Sequence, residues 1–279
     1  MNQSNSCGSN YSFYLERIEG MVEPLKERWK RDEVTLGAWC FMPGSLNAEI
    51  LAHSGFDWTL IDMQHGVMGY ETAVEMIRAI DLAGISPAVR VPWNEPGIVG
   101  QMLDAGAMSI IAPMIQSADE CRALVQACRY PPLGGRSLGP IRVGAHQGLG
   151  YVPVANDNIC VIPMIETVAA LDAVEEIAAV PGVDALFVGP FDLSFALGLM
   201  PGDNDGEPLF DDALKRVNDA ARANGIATAV MSTPQLAARR AEQGFRMISV
   251  INDSVALSMA AKASLETARE SISGSVNNA

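Results

Sequence analysis

The sequence predicts an α/β protein folded as a (β/α)8 barrel, also called a TIM barrel. The chain has 279 residues, the usual size of one such barrel. Its short apolar runs do not alternate with polar residues, which is typical of strands buried on both faces of a parallel sheet. Eight such runs lie at residues 36–41, 58–62, 88–91, 109–115, 160–166, 185–189, 227–231 and 247–251.

Helical patterns separate these runs, with apolar residues recurring every three or four positions. Several are followed by a glycine, the residue that most readily ends a helix in the left-handed conformation. Strands that alternate with helices favour a closed barrel. The alternative is an open doubly wound sheet, which is disfavoured because no Gly-x-Gly-x-x-Gly follows the first strand. The predicted helices are 48–54, 72–83, 97–105, 118–128, 167–179, 211–223 and 233–242, and the glycines are Gly55, Gly84, Gly106, Gly225 and Gly244.

The chain is predicted to form one barrel domain over residues 13–265, between a flexible polar terminus at 1–12 and a tail at 266–279. A charged amphipathic segment at 13–32 is expected to be a leading helix across the barrel floor. Residues 131–158 are rich in Gly and Pro and are too long for an ordinary connection. This stretch either covers an interface or the floor, or it contributes to the site.

Composition excludes several classes of function. Lys and Arg number 19 against 33 Asp and Glu, a net charge of −14, so no basic stripe is present for nucleic acid. No apolar run approaches the ~20 residues that a membrane span needs. The five cysteines are scattered without zinc spacing, and the polar N-terminus does not resemble a secretory signal. A cytoplasmic protein is therefore expected.

Two carboxylates follow adjacent predicted strands, Glu166 after the fifth and Asp192 after the sixth. In a barrel enzyme the reactive groups sit at these carboxyl ends of strands. Oxygen ligands without His or Cys suit a hard cation such as Mg²⁺ or Mn²⁺. The alternatives are structural: Glu166 as an acid favoured at a helix N-terminus, and Asp192 as a helix N-cap.

Other charged side chains also lie at the carboxyl ends of predicted strands. Arg90 ends the third strand, where an arginine needs an anionic partner. It either pairs with Glu166, Asp62 or Asp104, or it stabilises a developing oxyanion. His65 follows the second strand and is a candidate general base. After the sixth strand, the turn that begins at Gly189 could present backbone N–H groups to a carboxylate or phosphate.

At these residues the sequence resembles the HpcH/HpaI aldolase family over roughly residues 20–265. The motifs occur in the family's order and spacing, and as a set they are specific. They are Gly55-Phe56-Asp57-Trp58, Ile61-Asp62-x-x-His65, Val89-Arg90, Pro92-Trp93-Asn94, Leu103-Asp104-x-Gly106, Pro113-Met114, Arg129-Tyr130-Pro131-Pro132, Ile165-Glu166-Thr167, Gly182-Val183-Asp184 and Val188-Gly189-Pro190-x-Asp192-Leu193-Ser194.

The resemblance implies a divalent-metal-dependent (class II) aldolase in which Glu166 and Asp192 hold Mg²⁺ or Mn²⁺, with Co²⁺ as a further option. It would reversibly cleave a 4-hydroxy-2-oxo (2-keto-3-deoxy) acid to pyruvate and an aldehyde through a metal-stabilised enolate. Arg90 corresponds to the enolate-stabilising arginine, His65 to the catalytic histidine, and Asp104 to the aspartate that pairs with this histidine. The expected catalytic set is His65, Arg90, Asp104 and Asp62, and the expected substrate-binding set is Gly189, Pro190, Phe191, Asp192 and Ser194.

The chain departs from the family pattern at two places. It has Met63-Gln64 where the family often has Gly-Glu, and Met164 where it often has Gln. The loss of a polar group beside the metal would change how substrate is held, and hydroxypyruvate is then an alternative donor to pyruvate.

The resemblance further implies a homo-oligomer, commonly a hexamer built as a trimer of dimers that exchange C-terminal helices and share active sites. Two other functions are alternatives. One is a lyase acting on a CoA thioester, as in the citrate lyase beta-like branch, which would need basic residues for the CoA phosphates. The other is a catalytically silent barrel that serves as an assembly partner, which the intact set of acids, Arg90 and His65 argues against.

Overall fold

The computed structural model describes residues 22–276 and contains a closed barrel of eight parallel strands. Each strand pairs with the next along the chain, and β8 closes the barrel against β1. The predicted fold class is confirmed, and the open sheet is excluded. The strands are β1 (Thr35–Cys40), β2 (Trp58–Asp62), β3 (Ser86–Arg90), β4 (Ser109–Ala112), β5 (Cys160–Ile165), β6 (Ala185–Val188), β7 (Ala227–Met231) and β8 (Met247–Asn252).

Helices connect the strands and form the outer layer. The five glycines predicted to end helices all have positive φ, between +67° and +108°, as the left-handed conformation requires. The helices are α1 (Leu25–Lys30), α2 (Ser45–Ala52), α3 (Tyr70–Leu82), α4 (Pro96–Ala105), α5 (Ala118–Cys128), α6 (Ile141–Gln147), α7 (Tyr151–Asn158), α8 (Val168–Asp172), α9 (Val174–Ala178), α10 (Pro190–Ala196), α11 (Pro208–Ala223), α12 (Ala237–Glu242) and α13 (Asp253–Val276).

Some boundaries differ from those predicted. The fourth strand ends at Ala112 rather than at residue 115, because Met114 takes a left-handed backbone with φ of +56°. The single helix predicted at 167–179 is two short helices, α8 and α9, which meet at Ala173. The predicted helix at 233–242 begins only at Ala237.

The barrel interior is filled by large apolar side chains and closed at the floor by α1. Leu25 and Trp29 of this helix belong to the same buried cluster as the inward-facing residues of the strands. The indole N–H of Trp29 donates a hydrogen bond to Thr35 Oγ1 at 3.1 Å, which ties the helix to the start of β1. The prediction of a leading helix across the floor is confirmed for α1, while residues 1–21 lie outside the described part of the chain.

Residues 131–158 contain α6, α7 and a 3-10 turn, where the sequence predicted only an irregular stretch. Arg136 donates to Asp104 at 2.7 Å and Arg142 donates to Asp81 at 2.7 Å. Both aspartates lie near the ends of helices that run back from the barrel mouth. The segment therefore covers the floor side of the barrel.

The chain continues past β8 in a 24-residue helix, α13. Every residue from 257 to 273 is exposed, including Leu257, Met259 and Leu265. The helix occupies most of the stretch that the sequence predicted as a tail, and residues 277–279 lie outside the described part. Within residues 22–276, none of the helices combines the length and the hydropathy that crossing a bilayer requires.

We expect Gly37→Ala to destabilise the barrel, because a β-carbon at Gly37 would lie 2.1 Å from the Trp58 indole inside the β1–β2 wall. Overpacking of this kind typically costs about 1–3 kcal/mol in the free energy of unfolding. Urea denaturation measures the change. The control is Gly100→Ala in α4, where a β-carbon meets nothing within 4 Å and helix propensity should stabilise the protein by roughly 0.5–1 kcal/mol. Equal stability of the two variants would contradict this account of Gly37.

Candidate active site

A cavity of about 290 Å³ lies at the carboxyl ends of the barrel strands. Seven of the predicted site residues line it: His65 after β2, Arg90 at the end of β3, Glu166 after β5, and Gly189, Pro190, Phe191 and Asp192 at the start of α10. The parallel strands bring together residues that are far apart in the chain. The lining residues are Trp39, Phe41, His65, Arg90, Met164, Glu166, Phe187, Gly189, Pro190, Phe191, Asp192, Met231 and Asn252.

Arg90 is held by the fully buried carboxylate of Asp62. Its Nε donates to Asp62 Oδ1 at 2.9 Å, and its Nη2 donates to Oδ2. The guanidinium also lies over the Trp39 ring, 4.5 Å from the centroid. Nη1 makes no hydrogen bond to residues 22–276 and remains available to a ligand. Of the three ion pairs that the sequence left open for Arg90, the structure forms the one with Asp62.

The same carboxylate shapes the turn that presents His65. Asp62 Oδ1 accepts hydrogen bonds from the backbone N–H groups of Gln64 at 3.0 Å and His65 at 3.3 Å. The turn closes so tightly that a β-carbon at Gly66 would lie 2.2 Å from the Asp62 carbonyl oxygen. The His65 imidazole is exposed at the cavity and has no hydrogen-bond partner among the described residues. Asp62 thus positions both Arg90 and His65.

Glu166 is a buried carboxylate that is only half satisfied. Its side chain is 2% exposed; Oε1 accepts from the Met114 N–H at 2.8 Å, and Oε2 has no partner in residues 22–276. The left-handed backbone at Met114 is what directs this N–H at the carboxylate. Glycine at position 189 is required by the close approach, since a β-carbon there would lie 2.6 Å from Oε2.

Burial raises the pKa of Glu166 to about 7, and the negative charge of Asp192 contributes to this increase. The Met114 N–H and the positive charge of Arg90 act in the opposite direction. The ionised carboxylate is therefore disfavoured by its surroundings. A cation between Glu166 and Asp192 would relieve both the desolvation and the repulsion.

The donors present fit a hard divalent cation. The unpartnered Glu166 Oε2 and the neighbouring carboxylate of Asp192 supply oxygen, the atom that Mg²⁺ and Mn²⁺ prefer. No group of three or more His, Cys, Asp or Glu suited to a metal occurs in residues 22–276. A site with two protein ligands leaves its other coordination positions to water and substrate, as catalytic magnesium sites commonly do.

Three predicted site residues do not line the cavity, and of these Asp62 lies directly behind Arg90. Asp104 lies near the end of α4, at the floor of the barrel, where its carboxylate accepts from Arg136. It therefore cannot pair with His65 of the same chain. Ser194 is buried in α10, and its hydroxyl donates to the Gly202 carbonyl at 2.7 Å. The hydroxyl thus anchors the following loop and does not line the cavity.

The sequence analysis missed the apolar part of the site. Trp39, Phe41, Phe187 and Met231 line the cavity from β1, β6 and β7, and Asn252 lines it from the end of β8. The analysis considered only polar residues at strand ends, and β1 and β7 end in apolar ones. Large side chains at inward-facing positions near a strand end were the available signal.

A larger groove of about 660 Å³ lies at the opposite, floor end of the barrel. Most of its charged side chains are paired within the chain, as in Lys26 with Asp184 at 3.2 Å and Arg246 with Asp32 at 2.6 Å. The reactive groups of barrel enzymes lie at the other end. We therefore assign the active site to the cavity at the mouth.

Two known proteins with similar sequences are named as aldolases. The chain is 38% identical over 228 residues to the 2-dehydro-3,6-dideoxy-6-sulfogluconate aldolase of Pseudomonas putida. The aligned region covers 80% of this chain and 88% of the relative. It is 36% identical over 249 residues to the hydroxypyruvate/pyruvate aldolase of Rhizorhabdus wittichii, at 89% and 99% coverage.

A solved structure of an aldolase/citrate lyase family protein from Burkholderia cenocepacia superposes with a TM-score of 0.81 at 37% identity, covering 88% of this chain and 98% of that one. The HpcH/HpaI aldolase/citrate lyase family itself matches residues 38–260. Metal dependence is a property of this class of aldolase. The chain therefore belongs to the HpcH/HpaI aldolase/citrate lyase family and is a class II aldolase, a carbon–carbon lyase.

Proposed function

We propose that this aldolase reversibly cleaves a 4-hydroxy-2-oxo acid to pyruvate and an aldehyde. The observation that carries the proposal is the half-satisfied, buried carboxylate of Glu166, beside Asp192 and within the field of Arg90. A buried carboxylate with no hydrogen-bond partner for one oxygen in residues 22–276 is suited to binding a metal, which can in turn bind an anionic substrate. Hydroxypyruvate is the alternative donor, and a relative from Rhizorhabdus wittichii is named for both donors.

Glu166 and Asp192 would hold the divalent cation, with the 2-oxo acid filling other coordination positions. When bound, the cation supplies Lewis-acid polarisation of the substrate carbonyl. The N–H groups of Gly189, Phe191 and Asp192 would bind the substrate carboxylate at the cavity wall. Pro190 has no N–H, and its role is to fix the backbone of this turn.

Arg90 would stabilise the negative charge of the enolate, and His65 would accept the proton of the substrate hydroxyl. In the cleavage direction the C3–C4 bond breaks, its electron pair becomes the enolate of pyruvate, and C4 becomes the aldehyde carbon. Arg90 would donate through Nη1 to the enolate oxygen, with its orientation set by Asp62. His65 would accept the proton of the C4 hydroxyl. The proton that His65 has taken would be returned to C3 of the enolate, so the reaction balances without another reactant.

We further propose a homo-oligomer, a hexamer built as a trimer of dimers, as the family resemblance implies. The exposed apolar side chains of α13, including Leu257 and Met259, support the exchange of this helix between subunits. An Asp104 at the barrel floor could reach His65 only from a neighbouring subunit, so a shared active site follows if these two residues pair. A cytoplasmic location is supported by the cysteines of residues 22–276, which are four buried free thiols, because disulfides are rare in reducing compartments.

The CoA-thioester reaction is disfavoured by the charges around the cavity. Arg90 is the only Lys or Arg among its described lining residues, and Asp62 already occupies two of its nitrogens. The phosphates of CoA would require several more cations near the entrance.

The first test is the exchange of pyruvate methyl protons in deuterated water, followed by proton NMR. We expect exchange with Mn²⁺ present and none after chelation, because enolate formation precedes any acceptor. Arg90→Lys should slow exchange by about 10²–10³-fold, since lysine cannot make the paired contact with Asp62 while donating to an oxyanion. The control is Arg78→Lys on the surface of α3. Metal-independent exchange, or full activity of Arg90→Lys, would contradict the proposal.

The second test is direct titration of Mn²⁺ with and without pyruvate. We expect Glu166→Gln and Asp192→Asn each to weaken Mn²⁺ binding, and pyruvate to strengthen it in wild type. By linkage, the metal must strengthen pyruvate binding by the same factor. The exposed Asp119→Asn is the matched control. Unchanged affinity in either site variant would remove that residue from the metal site.

The third test concerns pH and the stability of the metal-free protein. The folded pKa of Glu166, about 7, is raised above its ordinary value of 4.5. Its ionisation therefore opposes folding, and the stability it permits at low pH is lost as pH rises through 7. We expect Glu166→Gln to gain stability over wild type between pH 5 and pH 8 by roughly 2–3 kcal/mol. Urea denaturation with EDTA measures the difference at each pH, and a difference independent of pH would contradict the burial argument.

A further inference from the structure

The carboxylate of Asp192, unlike that of Glu166, has no hydrogen bond of its own that fixes its position. Glu166 accepts from the Met114 N–H, whereas the exposed Asp192 side chain makes no hydrogen bond to residues 22–276. The helix that carries it, α10, has seven residues and no side-chain cap at its N-terminus. A helix this short is not stable by itself in water. The position of the Asp192 carboxylate therefore depends on what holds α10 against the rest of the chain.

The contacts that hold α10 lie on the side of the helix that faces away from the cavity. Ser194 follows Asp192 by two positions, and at 3.6 residues per turn their side chains point to roughly opposite sides. Leu193 and Ser194 are both 0% exposed. Burial of Leu193 stabilises the helix without fixing an orientation, because apolar contacts are not directional. The hydrogen bonds of Ser194 are directional, and they fix how the helix is turned.

The partners of Ser194 belong to the loop of residues 197–207, and Asn204 is the centre of that loop. Asn204 Nδ2 donates to the Ser194 hydroxyl at 2.9 Å, and the hydroxyl donates to the Gly202 carbonyl at 2.7 Å. The same nitrogen lies 2.8 Å from the Met200 carbonyl oxygen and 3.1 Å from that of Gly202. One amide group thus joins two turns of the loop to the buried face of α10.

The two residues beside Asn204 fix the loop to the barrel through Arg240 of α12. The guanidinium of Arg240 is 0% exposed; it donates to Asp203 at 2.6 Å and to the two oxygens of Asp205 at 2.7 Å and 2.8 Å. Arg239 makes a further ion pair with Asp205 at 3.0 Å. A buried arginine is stable only with such anionic partners. The loop on both sides of Asn204 is consequently held in one place.

We propose that Asn204 is a positioning residue for the metal site. It fixes, through the Ser194 hydroxyl, the turn of α10 that presents Asp192, and Arg240 fixes Asn204 in turn. The inference rests on the proposed function, in which Glu166 and Asp192 hold the cation. Asn204 does not line the cavity, so its effect is on the affinity for the metal and arises through Asp192. Residues that orient the ligands of a metal typically account for about 10–100-fold in affinity.

The test is a titration of Mn²⁺ followed by EPR, in which the signal of the free ion falls as the ion binds. We expect Asn204→Ala to weaken Mn²⁺ binding by about 10-fold. Ser194→Ala breaks the same link from the side of the helix and should give a similar loss, so it tests the inference even if Asn204→Ala does not fold. The matched control is Asn224→Ala, which removes an amide that donates to the Ala220 carbonyl at the end of α11. This control should leave the affinity unchanged.

The double variant separates positioning from a general loosening of the structure. If Asn204 acts through Ser194, Asn204→Ala should weaken Mn²⁺ binding little further once Ser194 is replaced by alanine. The two losses should then not multiply, as they would for independent sites. Losses that multiply, an equal loss in Asn224→Ala, or an unchanged affinity in both Asn204→Ala and Ser194→Ala would overturn the inference.

Failure of the wild-type protein to bind Mn²⁺ is a distinct result. It would overturn the proposed function, and the inference with it. Binding by the wild type with unchanged affinity in the Asn204 and Ser194 variants would overturn the inference alone.

Discussion

The active site depends on one buried carboxylate, that of Asp62. It binds two nitrogens of Arg90 and accepts from two backbone N–H groups of the turn that carries His65. A charge with no exposed surface is stable only with such partners, because an unpaired one would lose several kcal/mol of hydration. The guanidinium is consequently held in one orientation against Trp39, with Nη1 left for a ligand.

The buried carboxylate of Glu166, unlike that of Asp62, has hydrogen bonds to only one of its two oxygens. The carboxylate is buried away from water. One oxygen accepts a hydrogen bond from the Met114 N–H, and the other has no hydrogen-bond partner in residues 22–276. A left-handed residue at Met114 and a glycine at 189 are both needed for this arrangement. Local strain and an unsatisfied charge of this kind are usual where binding, rather than folding, has determined the geometry.

The net charge of the whole chain and the local charges of the cavity have opposite effects on an anionic substrate. A net charge of −14 repels an anionic donor at long range, so the donor must be attracted locally by Arg90 and a bound cation. The side of the cavity lined by Trp39, Phe41 and Met231 has no Lys or Arg among its described lining residues.

The sequence by itself determined the barrel, the helix-ending glycines and the strand-end positions of His65, Arg90, Glu166 and Asp192, and the cavity brings these four residues together. These features follow from short-range rules: the apolar character of a buried strand, the backbone freedom of glycine, and the point at which a strand stops burying polar groups. Only the tertiary structure decided which partners those groups have. It placed Asp104 with Arg136 at the floor, directed the Ser194 hydroxyl to Gly202, and gave Glu166 the N–H of Met114. Such contacts join residues separated by up to 52 positions in the chain, and their geometry is set by how the strands close into a barrel, which no local pattern encodes.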